Sequence, residues 1–303
     1  MRLTPRAYAA AAAGAWGLAL AASRTLGARP PGGAARWQRT NHAGRQVSLL
    51  EGPALIIATA AGALASLAAG TDPRPAQTAL VASLGPGAAG LVDDLAGDRS
   101  RSKGLRGHLR ALAHGELTTG VVKILVLGAS GALAADRLYR VRRSAPLNWS
   151  APLDRPAASG SRAPAAPRCR AAHVALEGAV IAGSANLANL LDLRPGRALK
   201  ACLLAAGVLG IREDRALPGA LLLGASLALL PADLSGRTML GDGGANPAGA
   251  LAGTALVAQS GTRGQLVALA VITGLTLASE RVSFTAVIEA TPGLRDLDAW
   301  GRS

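Results

Sequence analysis

The chain has 303 residues, half of them hydrophobic and only 17% charged, with a mean hydropathy of +0.30. Soluble domains carry roughly 25% charged residues, and here long apolar blocks recur between short charged segments, which excludes an ordinary soluble domain and points to several membrane spans. The net charge of +14 invites a nucleic-acid reading, but the bases sit in loops between apolar runs, where they set topology, meet anionic headgroups or hold substrate phosphates; no nucleic-acid partner is expected.

Residues 7–22 follow Arg2 and Arg6 and fit either a first transmembrane helix or a cleaved signal peptide. The helix is preferred, because further spans follow and the basic, Gly/Pro-rich loop 23–48 looks functional. Apolar runs then predict spans at about 49–69, 76–92, 118–135, 174–191, 199–211, 216–231, 248–260 and 264–279. Segment 136–173, with eight arginines, reads as an irregular loop or flexible insertion, and 280–303 as a cytosolic tail with an interfacial helix around Phe284–Ile288. The apolar residues are mostly Ala, Leu, Gly and Val, and small residues allow close helix packing in lipid. Two cysteines, Cys169 and Cys202, lack metal-ligand spacing, and Cys202 reads as a small packing residue.

The expected fold is therefore an all-α polytopic membrane protein, one integral-membrane domain over residues 1–303, with about nine transmembrane helices. Nine spans put loops 23–48, 93–117, 192–198 and 232–247, with the tail, on one side. That side holds 17 Lys and Arg against 14 on the other, eight of the latter in 136–173, so the positive-inside bias is slight.

Three polar constellations fall on that one side. Asp93 and Asp94 directly follow the third apolar run, where ionisable groups are costly and usually partnered; the bland reading is a solvated helix cap. Asn186, Asn189 and Asp192 recur every three residues at the end of span five, which puts their oxygens roughly on one helical face. Such oxygens can ligate a hard cation, or simply hydrogen-bond a neighbouring helix. Arg194, Arg197 and Lys200 follow and suit phosphate. In the glycine-rich loop 232–247, Gly241-Asp242-Gly243-Gly244-Ala245-Asn246-Pro247 offers backbone amides to a phosphate ahead of a helix N-terminus, with Asp242 as the metal ligand. A flexible turn and helix cap is the competing reading.

The order GLVDD…K, then NxxNxxD, then GDGGAN before a small-residue helix resembles the polyprenyl-phosphate N-acetylhexosamine-1-phosphate transferases, over roughly residues 23–285. This superfamily includes the phospho-N-acetylmuramoyl-pentapeptide transferase of peptidoglycan synthesis. The resemblance implies a magnesium-dependent enzyme that passes a sugar-1-phosphate from a UDP-sugar to a polyprenyl phosphate and releases UMP. It would lie in a bacterial plasma membrane with its active-site loops cytosolic, as a monomer or a homodimer. By that resemblance Asp93, Asp94 and Lys103 are catalytic. Asn189, Asp192 and Asp242 hold magnesium, and Asn41, His42, Asn186, Arg194 and Asn246 bind substrate.

The chain departs from the family in two places. Asp192 is followed by Leu193-Arg194-Pro195-Gly196, without the family's Asp-Gly, and the last polar segment has no histidine cluster and no further span. Two other classes therefore stand beside the enzyme: a catalytically impaired relative acting as a membrane partner in envelope assembly, and a transporter with polar helix breaks at mid-membrane.

Overall fold

A computed structural model describes residues 3–41, 43–96, 114–115, 118–144, 167–210 and 216–302. Thr4 caps the first helix, α1 (Pro5–Ala28), accepting from the Ala7 amide at 3.2 Å, with Pro5 in the first turn. A 3-10 turn (Ala34–Trp37) leads into a short antiparallel hairpin, β1 (Gln38–Thr40) and β2 (Gln46–Ser48). Then come α2 (Glu51–Ala68), α3 (Pro73–Ala96), α4 (Thr119–Ser144), α5 (Pro167–Leu191), α6 (Arg197–Gly210), α7 (Leu217–Leu234), α8 (Gly241–Gln259) and α9 (Thr262–Ser279). Two short helices, α10 (Phe284–Ala290) and α11 (Pro292–Ala299), follow.

Among the described residues the fold is all-α apart from the hairpin, and five helical segments are long and apolar enough to cross a membrane: Glu51–Ala68, Pro73–Ala96, Arg170–Leu191, Leu217–Leu234 and Thr262–Ser279. Outward-facing Leu266, Val267, Val271 and Leu277 on α9 are each more than half exposed, an apolar face that suits lipid rather than water.

α8 is the central helix, packed against α2, α3, α5, α6 and α7 and buried along nearly its whole length. Its sequence is almost entirely Gly, Ala and other small residues, so neighbouring backbones come close. A Cβ on Gly249 or Gly253 would run into Ser184 and its neighbours on α5, the close approach that small residues four apart permit in lipid. Gly90 does the same for the site: a side chain there would collide with the Asp242 carbonyl, so α3 and α8 meet backbone to backbone.

Two sequence expectations are corrected here. Segment 136–173 is not irregular at its edges: α4 runs on to Ser144 and α5 begins at Pro167, while 145–166 lie outside the described residues. Asp136 accepts from Arg140 at 2.8 Å, one helical turn on, and from Arg170 Nε at 3.1 Å across the gap. Those pairs let an arginine-rich stretch continue the two helices. The glycine-rich loop 232–247 also ends early, because α8 already begins at Gly241, which takes φ +60° just before the first turn.

Candidate functional site

The ends of α3, α5 and α7 and the starts of α2, α4, α6 and α8 gather at one end of the bundle, with the hairpin over them. Asp94, in the last turn of α3, accepts from the Asp242 amide at 3.0 Å and the Gly243 amide at 2.8 Å. It therefore caps α8 from another helix, satisfying two amides that a helix start leaves without partners. The anion expected at this N-terminus is thus a carboxylate of the chain itself. Arg39 of β1 donates to the Asp94 carbonyl and pins the hairpin to the same place.

The second half of the site is built around Lys123, in the second turn of α4. Its ammonium forms a close ion pair with Asp242 and reaches Asp93 at 3.4 Å. With its amide oriented by its neighbours, Asn189 accepts from Lys123 at 2.9 Å and donates to Asp242 Oδ1 at 2.8 Å. An ammonium has three donors, and here three oxygens from α3, α5 and α8 receive them. Lys123 is 12% exposed, against 28% and 27% for its two carboxylate partners, so the pair is largely withdrawn from solvent. The sequence reading left Lys123 inside a span without a role. A lone cation in the opening turns of an apolar helix was the available signal.

Asp192 was expected to share a metal with Asn189 and Asp242; it lies within electrostatic reach of Asp242, while its carboxylate lines a pocket with Asp233. It is 7% exposed with Oδ2 unpartnered, and it faces Asp233 at the end of α7. Burial pushes its carboxyl well above the ordinary range, the Asp233 charge adds to this, and the Gly241 amide works against it. The charges of Asp242 and Asp94 also reach it, so the two acidic groups are neighbours at one end of the bundle. Asp233 and Glu51, buried at 1% and 2% exposure, were not anticipated; the signal was again a carboxylate at the border of an apolar run.

The remaining sequence candidates divide. Asn41 makes the hairpin turn, its Oδ1 accepting from the Ala43 and Arg45 amides at 2.9 and 3.0 Å. Asn186 is half-buried one turn before Asn189. Asn246, expected to bind substrate, is fully buried, because the early start of α8 carries it into the second turn, against the bundle. His42 and Lys103 lie outside the described residues.

The cations expected to hold phosphate hold the tail instead. Arg197 makes a two-pronged ion pair with Asp298 at 2.8 and 2.9 Å. Lys200 donates to the Leu297, Asp298 and Trp300 carbonyls at 3.1, 2.7 and 2.8 Å, closing the C-terminus of α11. Arg302 reaches Asp298 at 2.7 Å and the Pro195 carbonyl at 2.9 Å, and Arg194 pairs with Glu289 at 3.1 Å. The tail, expected to be cytosolic with an interfacial helix, is thereby strapped across the loop between α5 and α6.

Burial opposes the charge on Asp298, but Arg197 and then Arg302 overcome it and hold the carboxyl below its ordinary range. A depressed carboxylate contributes stability that is complete above its unfolded value, roughly 4, and is lost as pH falls through the folded one. Hydrogen exchange of 284–302 is therefore expected to be slow at neutral pH and to quicken below about pH 4 after correction for intrinsic rates. In Asp298→Asn it is expected to be fast throughout. Equal protection of that variant and the wild type at neutral pH would show that the ion pair does not hold the strap.

Among the described residues no three His, Cys, Asp or Glu side chains form a metal cage by themselves. A metal at Asp93 and Asp242 therefore draws on Asn189, water and substrate oxygens, the mixed shell magnesium ordinarily takes. The donors are all hard oxygens and already surround a positive charge, so the residues fit that ion. No protein-family model matches the chain, and no curated protein matches it.

Proposed function

We propose that the chain transfers a sugar-1-phosphate from a UDP-sugar to a polyprenyl phosphate, with magnesium, in the cell envelope of a bacterium. Its long helices would cross the membrane nine times, with the Lys123 end facing the cytosol. The observation that carries this reading is the convergence of Asp93, Asp242 and Asn189, from three helix ends, on the Lys123 ammonium. A cation-lined acidic site at a bilayer surface can meet a lipid phosphate and a water-soluble nucleotide together.

In the reaction, an oxygen of the lipid phosphate forms a bond to the β-phosphorus of the UDP-sugar. The bond from that phosphorus to the bridging oxygen breaks, and its electron pair leaves with UMP. The attacking monoester is largely ionised near neutral pH, so no general base is required. Asp93, Asp242 and Asn189 would hold magnesium, which supplies charge neutralisation on the diphosphate oxygens. Lys123 offers a second positive charge to the departing phosphate, and Asp94 fixes the backbone from which Asp242 projects.

UMP release from a panel of UDP-sugars with undecaprenyl phosphate is the test, run with and without magnesium. Magnesium-dependent UMP from at least one donor is expected. No UMP from any common UDP-sugar would favour the second reading, a non-catalytic membrane partner in envelope assembly. That reading has its own support: Lys123 already neutralises the acidic pair, and the basic residues after Asp192 are committed to the tail.

A further inference from the structure

Beside the Lys123 site, the 192–196 loop, the turn after α7 and the hairpin enclose a small cavity of about 20 Å³, its polar lining including Asn41, Asp192, Asp233 and Thr238. A water-sized body needs ~10–15 Å³ on this measure. Each of these four side chains has a buried atom with no hydrogen-bond partner: Asn41 Nδ2, Asp192 Oδ2, both oxygens of Asp233, and Thr238 Oγ1. The Gly196 amide lies near Asp233 but outside hydrogen-bond geometry. Glu51, at the start of α2, stands within electrostatic reach of Asp192 and Asp233 and beside the Thr238 hydroxyl, with both its oxygens buried and outside hydrogen-bond geometry.

Cations are close but committed elsewhere. Lys200 and Arg302 act on Asp233 through space, yet the three donors of Lys200 are held by tail carbonyls and Arg302 is bound to Asp298 and the Pro195 carbonyl. Arg194, also in the lining, is paired with Glu289. Buried carboxylates without an ion pair or hydrogen bond are strongly unfavourable unless a cation or a proton joins them. A cluster of hard oxygens around a water-sized space selects a small divalent ion.

We propose that this cavity is a divalent-cation site, with Asp192 and Asp233 as carboxylate ligands and the Thr238 hydroxyl beside them. Water completes the shell, and Asn41 Nδ2 steadies a ligating oxygen from outside it. The ion ties the hairpin, the end of α5 and the end of α7 together. It is distinct from the ion proposed at Asp93 and Asp242, and it stands whether or not the chain transfers phosphoryl groups.

The test is titration of the full chain, in detergent micelles, with Mn²⁺ read by electron paramagnetic resonance. Using the Asp242→Asn protein removes the Lys123 site from the count. That protein is expected to bind one Mn²⁺, and adding Asp233→Asn is expected to weaken it at least tenfold. Asp233→Asn should stay monodisperse and unfold without metal at the wild-type temperature or above, because the amide removes a buried charge. Thr238→Val, which leaves both carboxylates, should weaken binding several-fold and decides the matter if Asp233→Asn does not fold. No Mn²⁺ on the Asp242→Asn protein at millimolar free ion, or binding unchanged in both further variants, overturns the proposal and leaves the cluster held by shared protons. Loss of UMP release in these proteins bears on the transferase reading alone.

Discussion

Asp242→Asn is expected to lower UMP release by on the order of 10²–10³-fold while leaving the protein inserted and folded. Asparagine matches aspartate in size, and the backbone amide that Asp94 caps is untouched, so the start of α8 stays in place. What disappears is the charge that holds Lys123 from one side. Asp94→Asn is a different lesion. It removes an acceptor from two helix-start amides, and an unsatisfied buried donor costs about 1–3 kcal/mol. Asp94→Asn should therefore lose both thermal stability and turnover, whereas Asp242→Asn, which leaves Asp93 and Asn189 on the Lys123 ammonium, should lose turnover with a smaller cost in stability. Thermal unfolding and UMP release on the same two preparations separate the roles. Wild-type turnover in Asp242→Asn would take the acidic cluster out of the chemistry.

The all-α fold was legible because apolar runs broken by short polar segments leave little else to build. The border carboxylates Asp93, Asp94, Asp192 and Asp242 were legible too, since a charge at the end of an apolar run needs a partner. Which partner was not legible. Periodicity places Asn186, Asn189 and Asp192 on one face of α5, but it does not say that Asn189 meets α8 while Asp192 turns to Asp233. The close contact between α3 and α8 depends on Gly90 having no side chain, and nothing local marks that glycine among many. Lys123 was passed over because an apolar run with one cation still reads as a span. Arg197 and Lys200 looked like phosphate ligands because their anionic partner lies about a hundred residues downstream, in a tail whose amphipathic pattern covers only two short helices. Long-range pairing of this kind is set by packing, and a local pattern cannot contain it.

Lys123→Met gives the sharpest separation between a structural ion pair and a catalytic one. Methionine keeps the apolar stem and deletes the charge, so Asp93 and Asp242 are left without their cation. Removing one partner of a buried pair costs about 3–5 kcal/mol; with the carboxylates here about a quarter exposed, the lower end applies. Without magnesium, the variant should unfold at a lower temperature than the wild type. Magnesium should then restore more stability to the variant than to the wild type, because an ion that binds only the folded state stabilises it in proportion to the logarithm of ligand over Kd, and removal of the competing ammonium lowers that Kd. In Lys123→Met/Asp242→Asn the loss should be smaller than the single variants' effects summed, since the charge each leaves stranded is gone. A Lys123→Met protein as stable as the wild type, with no added response to magnesium, would mean that the carboxylates do not compete for a cation. If magnesium rescues stability but UMP release stays down by on the order of 10²-fold, the ammonium acts on the departing phosphate and magnesium does not replace it. If magnesium rescues both, Lys123 holds the acidic pair together only until the metal arrives.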